Sequence, residues 1–155
     1  TIDKVYFDAK SDYEVGEPQI EAIFREAGVT FKYAIDSLMR KYSLDMTDED
    51  RKLIRRRVES CDAKHVLVTH GTDTMPQTAE ALCGLDGKTI VLTGALSPAR
   101  FRTTDAVFNV GMAVAAVQVA EPGVYIAMSG QVFEAGAVRK NRAANRFETV
   151  DDASQ

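Results

Sequence analysis

Lys64-His65-Val66-Leu67-Val68-Thr69-His70-Gly71 and, further along, Lys88-Thr89-Ile90-Val91-Leu92-Thr93-Gly94 decide the fold. Residues 64–69 and 88–93 are short β-branched apolar runs, each closed by a glycine, as buried strands are. Gly123–Met128 (GVYIAM) is a third such run, closed by Ser129-Gly130. Helical patterns lie between them. Met75–Leu82 follows the first run, and residues 104–120 follow the second, with Pro122 ending the helix. Residues 47–60 precede the first run, with Thr47 as N-cap and Asp50 in the capping-box position. Leu53, Ile54 and Val58 give that helix one apolar face. Upstream, the pattern predicts a helix over 18–27 and a short strand near 30–35. Alternating strand and helix imply an α/β domain. Its sheet is mostly parallel with helices on both faces, a flavodoxin- or Rossmann-like arrangement. The domain is expected over 1–148, followed by a polar, acidic tail over 149–155 that is expected to be disordered.

Composition narrows the function. The chain has 155 residues, enough for one domain that buries roughly 68–70% of its unfolded surface. A core of that size needs no disulfide or metal staple. The net charge of −4 leaves no basic excess for a nucleic-acid backbone. The basic run 51–57 follows Asp48, Glu49 and Asp50 and reads as a solvated helix face. Two cysteines, Cys61 and Cys83, make no disulfide framework, and Cys83 reads as a buried small hydrophobe. No Cys or His cluster has metal-ligand spacing, and no metal or cofactor is expected. The longest apolar stretch, 110–120, contains Gln118 and is too short to span a bilayer. There is no signal peptide, so the cytoplasm is expected. The chain begins at Thr1 without a methionine, which implies an upstream segment that was cut or omitted.

Ligands bind at the carboxyl ends of the strands in such sheets. Those ends read Thr69-His70-Gly71-Thr72-Asp73-Thr74, then Thr93-Gly94-Ala95-Leu96-Ser97-Pro98, then Ser129-Gly130-Gln131. They are rich in hydroxyls and glycine. In the first, Thr72 and Asp73 either cap the following helix or do chemistry, and this segment alone favours neither. Backbone N–H groups at the helix start could hold an anionic oxygen. The second lacks the lysine and spacing of a P-loop. Thr1 is a weak nucleophile without a base. It could use its own amine if it were a true N-terminus, though truncation is the simpler reading. Lys140, in Val138-Arg139-Lys140-Asn141, could accept a proton if buried beside a carboxylate. Most lysines are solvated surface residues.

The segments VLVTHGTDTM, TIVLTGALSP and SDYEVG resemble, in order and spacing, those of the bacterial L-asparaginase family. Thr1-Ile2 is similar to the end of that family's Gly-Gly-Thr-Ile motif. YSLDMTDED resembles its serine-bearing substrate segment, with Ser43 as the serine and Asp36-Ser37-Leu38-Met39 as a decoy. The resemblance implies hydrolysis of the side-chain amide of asparagine. Thr1 would be the primary nucleophile, activated by Tyr13 on a mobile loop. Thr72, Asp73 and Lys140 would form a second hydroxyl–carboxylate–amine triad. Ser43 and Asp73 would bind the α-carboxylate and α-ammonium, and the Ala95 carbonyl would accept from the substrate amide. Backbone N–H near Thr72 would stabilise the oxyanion.

Departures from the family are also visible. Most members are about twice as long, and their second domain adds an acidic contact to the substrate ammonium. The resemblance therefore implies a short-chain form and a homo-oligomer, a dimer or larger, with the small residues Gly111, Ala113, Ala115 and Ala116 allowing close helix packing. Leu44 stands where the family is often polar. Tyr42 stands where small or acidic residues are common. The family's first strand would precede Thr1. Residues 4–16, with Ser11, Asp12, Gly16 and several charges, are expected to close as a lid that brings Tyr13 to Thr1. A non-catalytic flavodoxin-like binding or signalling module is the competing reading. It needs no meeting of Thr72 and Lys140 in one pocket.

Overall fold

The computed structural model describes residues 1–7 and 12–150. Strands β1 (Lys4–Phe7) and β2 (Asp12–Val15) form an antiparallel pair, with Lys4 opposite Val15 and Tyr6 opposite Tyr13. These strands lie within the expected lid; Ser11 lies outside the described residues. Helix α1 (Ile20–Glu26) follows and buries Ile20, Ile23 and Phe24. The strand expected near 30–35 does not form. Phe31, Tyr33 and Ile35 alternate as a strand would, but among the described residues they have no strand to pair with, and all three are exposed. Instead Phe31 and Tyr33 stack edge-on against Phe24 at 5.5 and 5.0 Å between ring centroids.

Helix α2 (Asp48–Ser60) starts with the expected capping box: Asp50 N–H donates to Thr47 Oγ1 and Thr47 N–H to the Asp50 carboxylate. Lys41 and Thr47 together lower the Asp50 pKa to about 2. Ile54 and Val58 pack inward, whereas Leu53 points to solvent. The basic run is not wholly solvated. Arg55 donates to the carbonyls of Ala81 and Cys83 at 2.7 and 2.8 Å, satisfying the end of the next helix.

Strand β3 (His65–Thr69), helix α3 (Met75–Leu82), strand β4 (Thr89–Thr93), helix α4 (Ala106–Val119) and strand β5 (Gly123–Met128) follow in order. The three strands are parallel neighbours, with β4 in the middle and buried throughout. Strand β6 (Gln131–Glu134) returns antiparallel on β5. This is the mixed, mostly parallel sheet of an α/β domain. On one face Ile90, Leu92, Ile126 and Met128 pack under α3 and α2. On the other, Val91 and Ala127 meet Ala113, Ala116 and Val117 of α4, with α1 alongside. Two of the small α4 residues expected at an oligomer contact, Ala113 and Ala116, are thus spent on the sheet. Gly111 and Ala115 remain outside, near exposed Val107, Phe108 and Val119. Cys83 is exposed rather than buried, because α3 ends at Leu82 and the chain turns away.

A second antiparallel pair, β7 (Val138–Asn141) and β8 (Arg146–Thr149), closes the described chain. Val138 and Phe147 anchor it in the core under α3. Thr149 belongs to β8 and Val150 N–H donates to Ala137 O, so the boundary expected at 149 falls within a strand. Residues 151–155 lie outside the described residues. Among the described residues no helix is long and apolar enough to cross a membrane.

Candidate active site

The site starts where β3 stops. His70 N–H donates to Thr93 O at 2.9 Å, tying the ends of β3 and β4 together. The buried His70 ring sits 2.6 Å from Gly71 O through Nδ1 and 2.9 Å from Thr78 Oγ1 through Nε2. A carbonyl only accepts, so Nδ1 carries the proton and Nε2 accepts from the Thr78 hydroxyl. Burial, above all, pushes the His70 pKa below its ordinary value. The unfolded chain therefore binds this proton at a higher pH than the folded one does. The stability His70 contributes is present above about pH 6.5 and is lost as pH falls below it, by no more than about 1.4 kcal/mol per pH unit. Urea midpoints measured from pH 7.5 to 5.5 should show this loss, and His70→Asn should flatten it. An equal slope in the variant would mean other groups cause the loss.

Past Gly71 the chain makes a short 3-10 turn, Thr72–Thr74, before entering α3. Neither Asp73 nor Thr74 caps the helix. Thr74 Oγ1 donates to Ser43 O at 2.7 Å. Asp73 instead meets Lys140 from β7, whose Nζ donates to Asp73 Oδ1 and to Thr72 Oγ1, both at 2.7 Å. Thr72 is buried, the Lys140 side chain is 9% exposed, and Asp73 is 34% exposed. Arg142 Nε lies 4.0 Å from the same Asp73 oxygen. Residues 68 apart in sequence thus share one hydrogen-bonded cluster.

This cluster lies in a cavity of about 490 Å³ whose lining also includes Thr1, Tyr13, Ser43 and Ala95. All seven residues singled out in the sequence face this one space. Ser43 is buried in a 3-10 turn and reaches the site through a close approach: a Cβ on Gly71 would stand 2.7 Å from Ser43 Cβ and Oγ. The decoy Ser37 is exposed, and Asp36 is paired with Arg57. Leu44 and Tyr42 line the cavity as well.

Several residues that shape the site were not singled out. Asp105, before α4, accepts from Leu96 N–H and Ser97 N–H at 3.0 and 2.9 Å, and Asn109 donates to Gly94 O at 3.0 Å. These bonds hold the turn that carries Ala95. Ala99 N–H donates to Ile2 O at 3.1 Å and joins that turn to Thr1. The sequence offers one clue, Thr104-Asp105 ahead of a helix, which reads as capping. Lys4 and Phe101 complete the wall, and nothing in their sequence context signals it. Among the described residues no group of His, Cys, Asp and Glu could hold a metal ion.

At the carboxyl end of β3, within an α/β domain, a hydroxyl and a carboxylate are thus hydrogen-bonded to an amine supplied by β7. The family model described as Asparaginase, N-terminal, matches residues 6–154, and the chain belongs to that family. It is 32% identical over 128 residues to a glutamyl-tRNA(Gln) amidotransferase polypeptide of Methanococcus vannielii, covering 76% of this chain and 29% of that protein. It is 30% identical over 129 residues to a glutaminase-asparaginase of Acinetobacter glutaminasificans, covering 79% and 38%. The thermostable L-asparaginase from Thermococcus kodakarensis shares the fold with a TM-score of 0.80 at 22% identity, over 97% of this chain and 48% of that one. The chain thus spans less than half the length of each of these proteins.

Proposed function

We propose that this domain hydrolyses the side-chain amide of L-asparagine to L-aspartate and ammonia, using threonine nucleophiles. The observation that carries the reading is the bonding of Lys140 to both Thr72 and Asp73, in a cavity that Thr1 also lines. A binding module has no need of such a cluster. In this reading Thr1 attacks the amide carbon while its hydroxyl proton passes toward Tyr13, which closes over it on the β1–β2 hairpin. Backbone N–H near Thr72 stabilises the oxyanion. Collapse of the tetrahedral species breaks the C–N bond, and the leaving nitrogen takes a proton and departs as ammonia. The Thr72–Lys140–Asp73 cluster then orients and deprotonates the water that hydrolyses the threonyl ester. Ser43 and Asp73 hold the α-carboxylate and α-ammonium, and the Ala95 carbonyl accepts from the substrate amide.

This register predicts substrate choice. Glutamine is one methylene longer and moves its amide carbon by roughly 1 Å, an error that costs about 10²-fold in rate. A pocket discriminates a methylene by only about 1–3 kcal/mol, so glutamine is disfavoured but not excluded. Exposed Leu44 offers no hydrogen bond to a displaced amide. Ammonia release from asparagine and glutamine should therefore differ by about two orders of magnitude in kcat/KM. Comparable values would break the register argument, and no release from asparagine would overturn the proposed function.

A further inference from the structure

The hairpin that carries Tyr13 is pinned at its base. Gly16 N–H donates to Asp3 O and Gln19 N–H to Asp3 Oδ1, both at 2.8 Å, and the neighbouring Ile2 is fully buried. Tyr13 lies three positions before Gly16 on β2. A two-stranded pair is marginally stable on its own. Contacts from outside the hairpin therefore set how firmly Tyr13 is held.

Such contacts come from residues 40–42, the segment that leads into the Ser43 turn. Tyr42 is extended, at φ −67° and ψ 143°. Successive side chains of an extended chain point to opposite sides. Lys41 turns to α2 and donates to Asp50 Oδ2 at 2.6 Å. Its two neighbours turn to the hairpin and its exit: Tyr42 donates its hydroxyl to Tyr13 O, and Arg40 donates to Glu17 Oε1. The segment is thus a strap between helix and hairpin. Its two grips are unequal. Arg40 and Glu17 are 50% and 70% exposed, and such a pair is worth little in water. Tyr42 is partly buried in the cavity wall. Lys4 of β1 stands 4.4 Å from the Tyr13 ring centroid and 5.6 Å from that of Tyr42, a cation–π contact with each. The Tyr42 bond takes the backbone carbonyl of Tyr13. The phenol hydroxyl, which the proposed reaction uses, is not the group it engages.

Resting on the proposed role of Tyr13, we propose that Tyr42 is a positioning residue. Its hydroxyl latches the β1–β2 hairpin and keeps Tyr13 in the cavity that Thr1 also lines. Tyr42→Phe removes the hydroxyl and keeps the ring. It should lower kcat for asparagine about 3- to 10-fold, the worth of one neutral hydrogen bond, with KM little changed. On a Tyr13→Phe background the same change should cost almost nothing, because the hydroxyl that the latch positions is gone. A role confined to shaping the Ser43 turn would instead cost the same factor in both backgrounds. Hydrogen exchange of the β1 and β2 amides reads the latch without substrate. It should quicken about 3- to 10-fold in Tyr42→Phe, since local opening no longer breaks that bond. Tyr42→Leu repeats both measurements should the phenylalanine variant misfold. Arg40→Gln should leave both readings within about twofold of the parent. Parental exchange rates in Tyr42→Phe would overturn the proposal. A parental kcat, or equal losses of kcat in the two backgrounds, would overturn it as well and leave asparagine hydrolysis standing. If asparagine is not hydrolysed at all, the proposed function fails, and the exchange rates alone decide whether Tyr42 latches the hairpin.

Discussion

Replacing Lys140 with methionine is expected to lower kcat by roughly 10²- to 10⁴-fold, the usual worth of a positioned proton-transfer group. Methionine matches the length of the lysine stem and fills the same largely buried path, with 9% of the lysine side chain exposed. The amine is what disappears, and with it both 2.7 Å bonds, to Thr72 and to Asp73. Breaking a fully buried pair costs about 3–5 kcal/mol because a charge is stranded. Asp73 is not stranded: it is 34% exposed and has Arg142 at 4.0 Å. The fold should therefore survive with a modest loss of stability. Steady-state kinetics beside a thermal melt separates the two effects. Near-parental turnover in a folded variant would make the lysine a structural residue.

Gly94→Ala should be the most damaging single methyl group in the domain. The new Cβ would stand 2.4 Å from the His70 carbonyl oxygen and 2.9 Å from Met75 Cε. Met75 could swing aside. The carbonyl could not, because His70 N–H is bonded to Thr93 O and fixes the β3 and β4 ends against each other. Overpacking typically costs about 1–3 kcal/mol and more where backbone is involved, so a loss of about 3 kcal/mol is expected. Activity should fall too, since Thr72 Cγ2 is the next atom met, at 3.3 Å. That contact asks the threonine to give by less than the roughly 1 Å that costs about 10²-fold, so a smaller, severalfold loss is expected. Urea unfolding measures the stability term. A midpoint equal to the parent's would mean that the strand ends stand further apart than they do here.

The three parallel strands were legible because each is an uninterrupted apolar run, although β4 alone of the three is buried throughout and β3 is half-exposed. The helices around them were legible because each has a stop or start signal, such as Pro122 or the Thr47–Asp50 box. The hairpins were not. VRKN, RFET and QVFE each commit one or two side chains to the core, and four residues carry too little periodicity to read. Lys140 sits in one of them, so its place in the site came from family resemblance and not from pattern. Residues 30–35 failed the other way: Phe31, Tyr33 and Ile35 show period two, but a strand also needs a partner, and among the described residues none pairs with them. Gly71 closes the first strand run in the sequence, and its φ of −67° is ordinary. What glycine supplies there is the missing Cβ that lets Ser43 approach, which depends on a segment 28 positions away and is invisible locally.

The arrival of Lys140 on β7 bears on the order in which the molecule assembles. Thr72 lies on the first βα turn of the sheet, and Lys140 comes after β4, α4, β5 and β6 have been laid down. Closing a loop of 68 residues costs entropy that the intervening sheet must first offset. Secondary structure can form throughout that interval while the Thr72–Lys140–Asp73 cluster does not yet exist. If that cluster does the proposed chemistry, activity is a late signal of assembly, one that reports the docking of the β7–β8 hairpin.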